Sequence, residues 1–213
     1  MTTRRNGDPR SFDAVLCDID NVIRFYDTTR LARMERDSGL AEGITAEIAF
    51  EPGTDLPLLL GEITKREWVE SIAAGLVARA RVSAARAREL GMALATAPFS
   101  ADEVVVEMLR RVRSRMPLVL VSNATVELEE DLRSLGLAQL AHHVINSSRA
   151  RIAKPDRRIY EIAAERAGVG VGRCLFVDDG RTNVEAAVAL GMTGVHYREP
   201  ADLRAALGPV LDG

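Results

Sequence analysis

Short apolar runs alternate with amphipathic stretches along much of the chain. The runs typical of buried strands are FDAVLCDID (12–20), PLVLVSN (117–123), HVINS (143–147), CLFVDD (174–179) and GVHYR (194–198). From about residue 100 onwards, each run is followed by a helical pattern. This alternation predicts an α/β fold, in which a largely parallel sheet is covered by helices on both faces.

Capping signals predict where several of these helices begin and end. Ser100-x-x-Glu103 and Thr182-x-x-Glu185 have the spacing of capping boxes, so each predicts a helix start. Pro155 predicts the start of another helix and Gly168 its end. Further helices are expected near 125–135 and after the last strand.

The stretch between the first two predicted strands is too long for a simple crossover. Parallel strands need a connection of about a dozen residues, yet the helix that leads to the second strand begins only near residue 100. We therefore predict that residues 24–99 are an inserted helical bundle, that residues 12–23 and 100–213 form the α/β domain, and that residues 1–11 are flexible. The helical patterns of the insertion are LARMERDSG (31–39), TAEIAF (45–50), TKREWVESIAAGLVA (64–78) and SAARARELGMALA (83–95), with a loop at EPGTDLP (51–57).

Composition and charge disfavour several classes of protein. The 213 residues are 47% hydrophobic and 28% charged with a net charge of −3, which is typical of a soluble globular protein without a nucleic-acid or anionic membrane partner. No apolar run approaches the ~20 residues of a membrane span, and the polar N-terminus lacks a secretory signal, so we expect a cytoplasmic protein. Cys17 and Cys174 lie in strand-like runs and are expected to be buried thiols. The three histidines show no zinc-ligand spacing with them.

The positively charged residues are almost all arginine. Of 28 Lys and Arg residues, only Lys65 and Lys154 are lysine. A lysine retained in such a composition suggests a position that needs a compact ammonium rather than a planar guanidinium. Lys154 is therefore a candidate functional residue.

Polar side chains end three of the predicted strands, at the edge where parallel sheets bind ligands. These strand ends carry Asp18 and Asp20, then Ser122 and Asn123, then Asp178 and Asp179, with Lys154 on the same side of the sheet. Asp18 and Asp20 are two residues apart and face the same side of an extended segment. One aspartate at a strand end is usually a turn former or a helix cap. Several at one edge favour a site for a divalent cation, and all-oxygen ligands favour Mg²⁺.

Taken in order, these segments resemble the four motifs of the haloacid dehalogenase-like (HAD) hydrolase superfamily. The matching segments are CDIDNVI (17–23), VSNAT (121–125), AKP (153–155) and FVDDGRTNVEAA (176–187). The resemblance implies a Rossmann-like parallel sheet with an inserted helical cap domain, as in the capped phosphatase branch. Asn21 stands where a glycine is most common. Some capped phosphatases of sugar phosphates also have Asn-Val-Ile at this place. The phosphatase domain of soluble epoxide hydrolases has a similar layout.

The resemblance also implies catalytic roles. Asp18 is expected to be the nucleophile that forms an aspartyl-phosphate, and Asp20 the general acid and base. Ser122 and the backbone amide of Asn123 are expected to bind the phosphoryl oxygens. Lys154 is expected to link the phosphate to Asp18.

The resemblance further implies the ligands of Mg²⁺. They are the Asp18 carboxylate, the Asp20 backbone carbonyl and Asp179, with Asp178 acting beside them, directly or through water. Asn183 stands where many relatives have another aspartate, so its role is open.

The leading hypothesis is a Mg²⁺-dependent phosphatase of a small phosphorylated metabolite, with sugar phosphates as one candidate class. Arg24, which enters the insertion, is expected to contact a second anionic group of the substrate. A phosphomutase and a non-catalytic protein that binds phosphorylated ligands are the alternatives. Asp20 disfavours dehalogenation, because true haloacid dehalogenases of the superfamily lack an aspartate there. The substrate and the oligomeric state stay open.

Overall fold

The computed structural model describes residues 12–211, so the segment predicted to be flexible, residues 1–11, lies outside the described residues. Within them the strands are β1 (Ala14–Cys17), β2 (Arg24–Tyr26), β3 (Phe99–Ala101), β4 (Leu118–Ser122), β5 (His143–Asn146), β6 (Cys174–Asp178) and β7 (Thr193–His196). The helices are α1 (Thr29–Asp37), α2 (Ile44–Ala49), α3 (Pro52–Leu59), α4 (Lys65–Ala80), α5 (Ala84–Ala95), α6 (Glu103–Arg113), α7 (Leu128–Ser134), α8 (Ser147–Ala150), α9 (Arg157–Ala167), α10 (Arg181–Ala189) and α11 (Pro200–Leu211).

The main sheet of the described residues has five strands in the order β5-β4-β1-β6-β7, and all neighbours are parallel. Alternate side chains of the central strands pack on opposite faces. Val15 and Leu118 belong to the apolar cluster on one face, whereas Leu16 and Val119 belong to the cluster on the other. Helices cover both faces, which explains why β1, β4 and β6 are apolar and fully buried. The predicted α/β fold with a parallel sheet is confirmed.

Helices α1 to α5 lie within residues 24–99, the predicted helical insertion, and have an apolar cluster of their own. Its centre includes Ile48, Trp68, Ile72 and Leu90, all buried. At its base, β2 and β3 pair as an antiparallel two-stranded sheet that the sequence did not predict. Its standing as a separate domain stays a prediction.

One loop prediction within the insertion was wrong. Residues 51–57 contribute to α3, which begins at Pro52. Proline suits the first helical turn, because the N–H that it lacks has no partner within the helix there. Gly53 and Pro57 lie inside this short helix and made the segment resemble a loop.

The predicted capping boxes of the α/β region were also wrong. Ser100 lies in β3, and Asp102 caps α6 by accepting hydrogen bonds from the amides of Val104 and Val105. Helix α10 begins at Arg181, so Thr182 lies inside it. In both cases the Ser or Thr of the predicted capping box stands close to the helix start but not at the cap position.

Two other predictions concern helix α9 and the cysteines. Helix α9 begins two residues after Pro155, is capped by Asp156 and ends at Gly168, which has a φ of 72°. Cys17 and Cys174 are buried free thiols, as predicted.

No helix in the described part of the chain combines the length and apolar character needed to cross a membrane.

Candidate active site

A buried lysine joins two aspartates at the carboxyl end of the sheet. Asp18 directly follows β1, and its amide donates a hydrogen bond to the Val177 carbonyl of β6 at 2.9 Å. The Lys154 Nζ lies 2.7 Å from Asp18 Oδ1 and 2.6 Å from Asp178 Oδ2. The lysine side chain is only 1% exposed. The structure thus brings together three of the predicted site residues from distant parts of the chain.

Asp18, Asp178 and Asp179 form the acidic cluster. Each offers a carboxylate oxygen, and these oxygens lie within 4.8 Å of one another, so the group could hold a metal ion. With Lys154, three carboxylates and one ammonium leave two formal negative charges, which a divalent cation balances. The all-oxygen donor set suits Mg²⁺.

The pKa values of the cluster reflect burial first and the neighbouring charges second. Burial raises the pKa of Asp18 to about 8, with Lys154 acting in the opposite direction and Asp178 adding to the increase. Burial alone lowers the pKa of Lys154, but Asp18 and Asp178 more than offset it and raise that pKa. The Lys154 ammonium therefore stays charged beside the two carboxylates.

The two aspartates at the end of β6 have different surroundings. Asp178 is fully buried, and its Oδ1 accepts hydrogen bonds from the Gly180 amide at 2.7 Å and from Asn183 Nδ2 at 2.9 Å. Its Oδ2 accepts the Lys154 ammonium, so both oxygens have protein donors. Asp179 is half-buried and accepts one side-chain hydrogen bond, from Asn21 Nδ2 at 2.9 Å.

Two asparagines therefore position the aspartates. Asn21 has a φ of 59°, in the left-handed region that Asn tolerates better than most residues, which explains why glycine suits this place. Its side chain contacts Asp179, a role that the sequence did not reveal. Asn183, whose role the sequence left open, donates to Asp178 and accepts the Tyr160 hydroxyl at its backbone carbonyl.

Ser122 and Asn123 lie at the end of β4. Ser122 is 1% exposed, and its Oγ has no hydrogen-bond partner among the described residues. Such a buried, unpaired hydroxyl fits a site whose ligand supplies the partner. The Asn123 side chain holds the Lys154 backbone, donating to its carbonyl at 2.9 Å and accepting from its amide at 2.7 Å. This side-chain role was missed, because sequence spacing says nothing about contacts between separate loops.

Arg24, which was expected to contact a second anionic group of the substrate, is buried and engaged with other side chains, and its contact with substrate stays a prediction. Its side chain is 3% exposed and is paired with Asp20 and Asp131. The guanidinium also lies against the rings of Tyr26 and Phe99, with its centre 5.1 and 5.4 Å from their centroids. Asp131 was not predicted, since a lone aspartate in a charged helix gives no functional signal.

Ser147, at the start of α8, links the helical insertion to the loop after β4. Ser147 is fully buried, and its Oγ accepts a hydrogen bond from the Ala124 amide at 3.0 Å and donates one to the Leu59 carbonyl at 2.7 Å. Gly61, just after α3, approaches the Ser148 backbone so closely that a Cβ there would lie 2.8 Å from its carbonyl oxygen. This contact fixes the end of α3 beside the site.

A family model and a curated protein both match this chain over most of its length. A family model described as haloacid dehalogenase-like hydrolase matches residues 12–191. The curated protein Phosphatase MT3486 of Mycobacterium tuberculosis (strain CDC 1551 / Oshkosh) is 27% identical over 223 residues, covering 95% of this chain and 98% of its own.

Two solved structures show the same fold. The HAD family enzyme bt-2542 from Bacteroides thetaiotaomicron, in complex with magnesium and inorganic phosphate, is 20% identical with a TM-score of 0.63 and covers 85% of this chain and 92% of its own. The L-2-haloacid dehalogenase RSc1362 is 22% identical with a TM-score of 0.63 and covers 86% of this chain and 85% of its own. One fold thus carries relatives with different chemistry, so the side chains of the site decide the reaction.

Proposed function

Because the chain belongs to the haloacid dehalogenase-like hydrolase family, we propose that it is a Mg²⁺-dependent phosphatase of a small phosphorylated metabolite. Sugar phosphates are the first candidate class. The observation that carries the proposal is the buried Lys154 ammonium between Asp18 and Asp178, in an acidic cluster with two excess negative charges. The similarity to a curated phosphatase supports the same reaction class.

The proposed reaction begins with Asp18. Its carboxylate oxygen attacks phosphorus, and the bond from phosphorus to the leaving oxygen breaks as an aspartyl-phosphate forms. Asp20 gives a proton to the leaving oxygen. Asp20 then takes a proton from the water that attacks the phosphorus of the aspartyl-phosphate, so inorganic phosphate leaves and Asp18 is restored.

The remaining residues reduce the repulsion between a carboxylate and a phosphate. Lys154, the Ser122 hydroxyl and the Asn123 amide would bind the phosphoryl oxygens, where charge accumulates in the transition state. The Ser122 Oγ, which has no hydrogen-bond partner within residues 12–211, supports this role. Mg²⁺, bound to the Asp18 carboxylate, the Asp20 backbone carbonyl and Asp179, would supply further positive charge beside the phosphate.

The hydrogen bonds divide the roles of the two aspartates after β6. Both Asp178 oxygens are engaged by protein donors, whereas Asn21 is the one side-chain donor to the Asp179 carboxylate among residues 12–211. This difference supports Asp179 as the direct metal ligand. Asp178 is better placed to orient Lys154.

A product assay with Mg²⁺, and again with a chelator, tests the proposal. The panel contains sugar phosphates, nucleotides, phosphoglycolate and acyl phosphates, with 2-haloacids added for dehalogenation. A phosphatase releases one inorganic phosphate for each substrate consumed, only with Mg²⁺.

Other products would contradict the proposal. An isomerised sugar phosphate formed without phosphate release indicates a phosphomutase, and halide release indicates a dehalogenase. Tight binding of a phosphorylated compound with no turnover indicates a binding protein.

A further inference from the structure

We propose that Arg24 and Asp131 position Asp20 for its work as general acid. Arg24 holds the Asp20 carboxylate between turnovers, and Asp131 keeps the Arg24 charge paired when Asp20 turns towards the leaving oxygen. This inference depends on the proposed phosphatase function. It makes Asp131 a positioning residue that contacts neither substrate nor metal.

Arg24 holds Asp20 by both carboxylate oxygens. The Arg24 Nε lies 2.6 Å from Asp20 Oδ1, and Nη2 lies 3.0 Å from Oδ2. Such a bidentate pair fixes the plane and the direction of a carboxylate. To protonate a leaving oxygen, one Asp20 oxygen has to carry a proton and turn to the phosphate, so this pair has to open at least in part.

Opening the pair is difficult because Arg24 is buried. A guanidinium that is 3% exposed cannot replace a lost carboxylate with water. Leaving a buried charge without its partner carries a large desolvation penalty. Arg24 therefore needs a second anion that stays in place when Asp20 leaves.

Asp131 is that second anion. Its Oδ2 lies 2.7 Å from Arg24 Nη1, the guanidinium nitrogen that Asp20 does not use. It projects from α7, so it does not belong to the loop that carries Asp20. The two carboxylates thus occupy different nitrogens, and one can leave without displacing the other.

Two aromatic rings hold Arg24 in place, so Arg24 is not the member of the trio that moves. The guanidinium carbon of Arg24 lies over the rings of Tyr26 and Phe99, which contact each other edge to face. Tyr26 lies in β2 and Phe99 in β3, so the guanidinium is held by the two-stranded sheet at the base of the helical insertion. The Asp20 side chain is 30% exposed and lies in the loop that follows β1, whereas Asp131 is fixed on a helix.

A purely structural role makes a different prediction. If the trio only joins α7 to the loop after β1, loss of the Asp131 charge changes stability and affects all substrates equally. If Asp131 serves the general acid, the loss depends on how much the leaving group needs a proton. Aryl phosphates with good and poor leaving groups separate these two roles.

The experiment compares kcat/KM for p-nitrophenyl phosphate and phenyl phosphate, which differ little in shape. Asp131→Asn keeps the side-chain size and removes the charge. We expect kcat/KM to fall about tenfold for phenyl phosphate and at most about twofold for p-nitrophenyl phosphate, whose leaving group needs no acid. Glu130→Gln is the control, because Glu130 is exposed and, within the described part of the chain, forms its ion pair with Arg133 on the same helix; it should leave the ratio unchanged.

A second variant and the unaltered protein complete the experiment. Asp131→Glu restores the charge and should recover part of the phenyl phosphate activity; if Asp131→Asn does not fold, this variant carries the test with a smaller expected loss. Equal losses on both esters, or none, overturn the inference and leave the phosphatase proposal standing. Absence of Mg²⁺-dependent phosphate release by the unaltered protein from any ester contradicts the phosphatase proposal, and this inference with it.

Discussion

The acidic site and the helical insertion differ in where their ion pairs lie. At the site, Lys154, Asp18 and Asp178 are buried and pair with one another across long stretches of sequence. In the insertion, ion pairs such as Arg79–Glu51 and Arg88–Glu70 lie at the surface, and the buried carboxylate of Glu35 accepts hydrogen bonds from the backbone amides of Gly43 and Thr45. Exposed pairs contribute little to stability, whereas buried charges require defined partners. Substitutions at the site should therefore change activity most, and those in the insertion should change stability.

The largest effect is expected for the buried lysine. Lys154→Arg keeps the positive charge but replaces a compact ammonium with a planar group that has five donors to satisfy in a site that is almost closed to water. We expect kcat to fall by about 100-fold or more, because the carboxylate and phosphate would no longer be aligned. Phosphate release under saturating substrate and Mg²⁺ measures the loss.

The other lysine is the matched control for this variant. Lys65 is only partly buried, at the start of α4, and interacts electrostatically with Glu127. Lys65→Arg should leave kcat within about twofold, since a partly exposed position accepts either cation. Near-normal activity of Lys154→Arg would contradict the assigned role of the ammonium.

A smaller effect is expected where the insertion meets the core. Gly61 has a φ of 68°, and a Cβ there would lie 2.8 Å from the Ser148 carbonyl oxygen. Gly39 has a φ of 70° with nothing within 4 Å of its Cβ position. Gly39→Ala should lower the free energy of unfolding by about 1–2 kcal/mol, the strain of the left-handed conformation. Gly61→Ala should lower it by about 1–3 kcal/mol more, the penalty of overpacking.

Urea unfolding followed by the fluorescence of Trp68, the only tryptophan, measures both alanine variants. Trp68 is buried in the apolar cluster of the insertion, so its signal follows the region under test. Equal destabilisation by the two substitutions would mean that the approach of Gly61 to Ser148 contributes nothing. That result would contradict a tight contact between the insertion and the core at Gly61.

The smallest effect concerns one unpaired acid in the insertion. Asp55, in α3, has no side-chain hydrogen-bond partner among the described residues, and burial raises its pKa to about 6. The folded protein therefore binds this proton more tightly than the unfolded chain does, and the free energy of unfolding falls as the pH rises from about 4 to about 6. Above about pH 6 the Asp55 carboxyl is ionised in the folded protein, and the full penalty of burying its charge lowers the free energy of unfolding.

Asp55→Asn removes this penalty. We expect it to raise the free energy of unfolding by about 1 kcal/mol at pH 7.5 and by less at pH 4.5. Asp37→Asn, at an exposed position of α1, makes the same change of charge and should have an effect below about 0.5 kcal/mol at either pH. Urea unfolding at the two pH values measures both variants, and a pH-independent gain for Asp55→Asn would contradict the explanation by burial.

The sheet and the acidic cluster could be predicted because their signals are local. A buried parallel strand is a short apolar run, and the polar residue that ends it must lie at the ligand-binding edge. Asp18, Ser122, Asp178 and Asp179 were found in this way. The scarcity of lysine drew attention to Lys154, which the structure places between two of the cluster's aspartates.

The contacts that position these residues could not be predicted in the same way. Asp131 lies 107 residues from Arg24 along the chain, and Asn123 holds the Lys154 backbone from 31 residues away. Helix α3 was missed because its glycine and prolines are compatible with a loop as well as with a short helix that packing stabilises. Such features depend on which elements pack together.

The central claim is that Asp18 is the nucleophile of a Mg²⁺-dependent phosphatase. The most direct measurement compares inorganic phosphate release by the unaltered protein and by Asp18→Asn, with the best ester of the panel at saturating Mg²⁺. The asparagine keeps the shape of the side chain, and an unchanged melting temperature verifies the fold. We predict a loss of at least about 1,000-fold in kcat, as expected when a covalent nucleophile is removed. Full activity of Asp18→Asn would contradict the account.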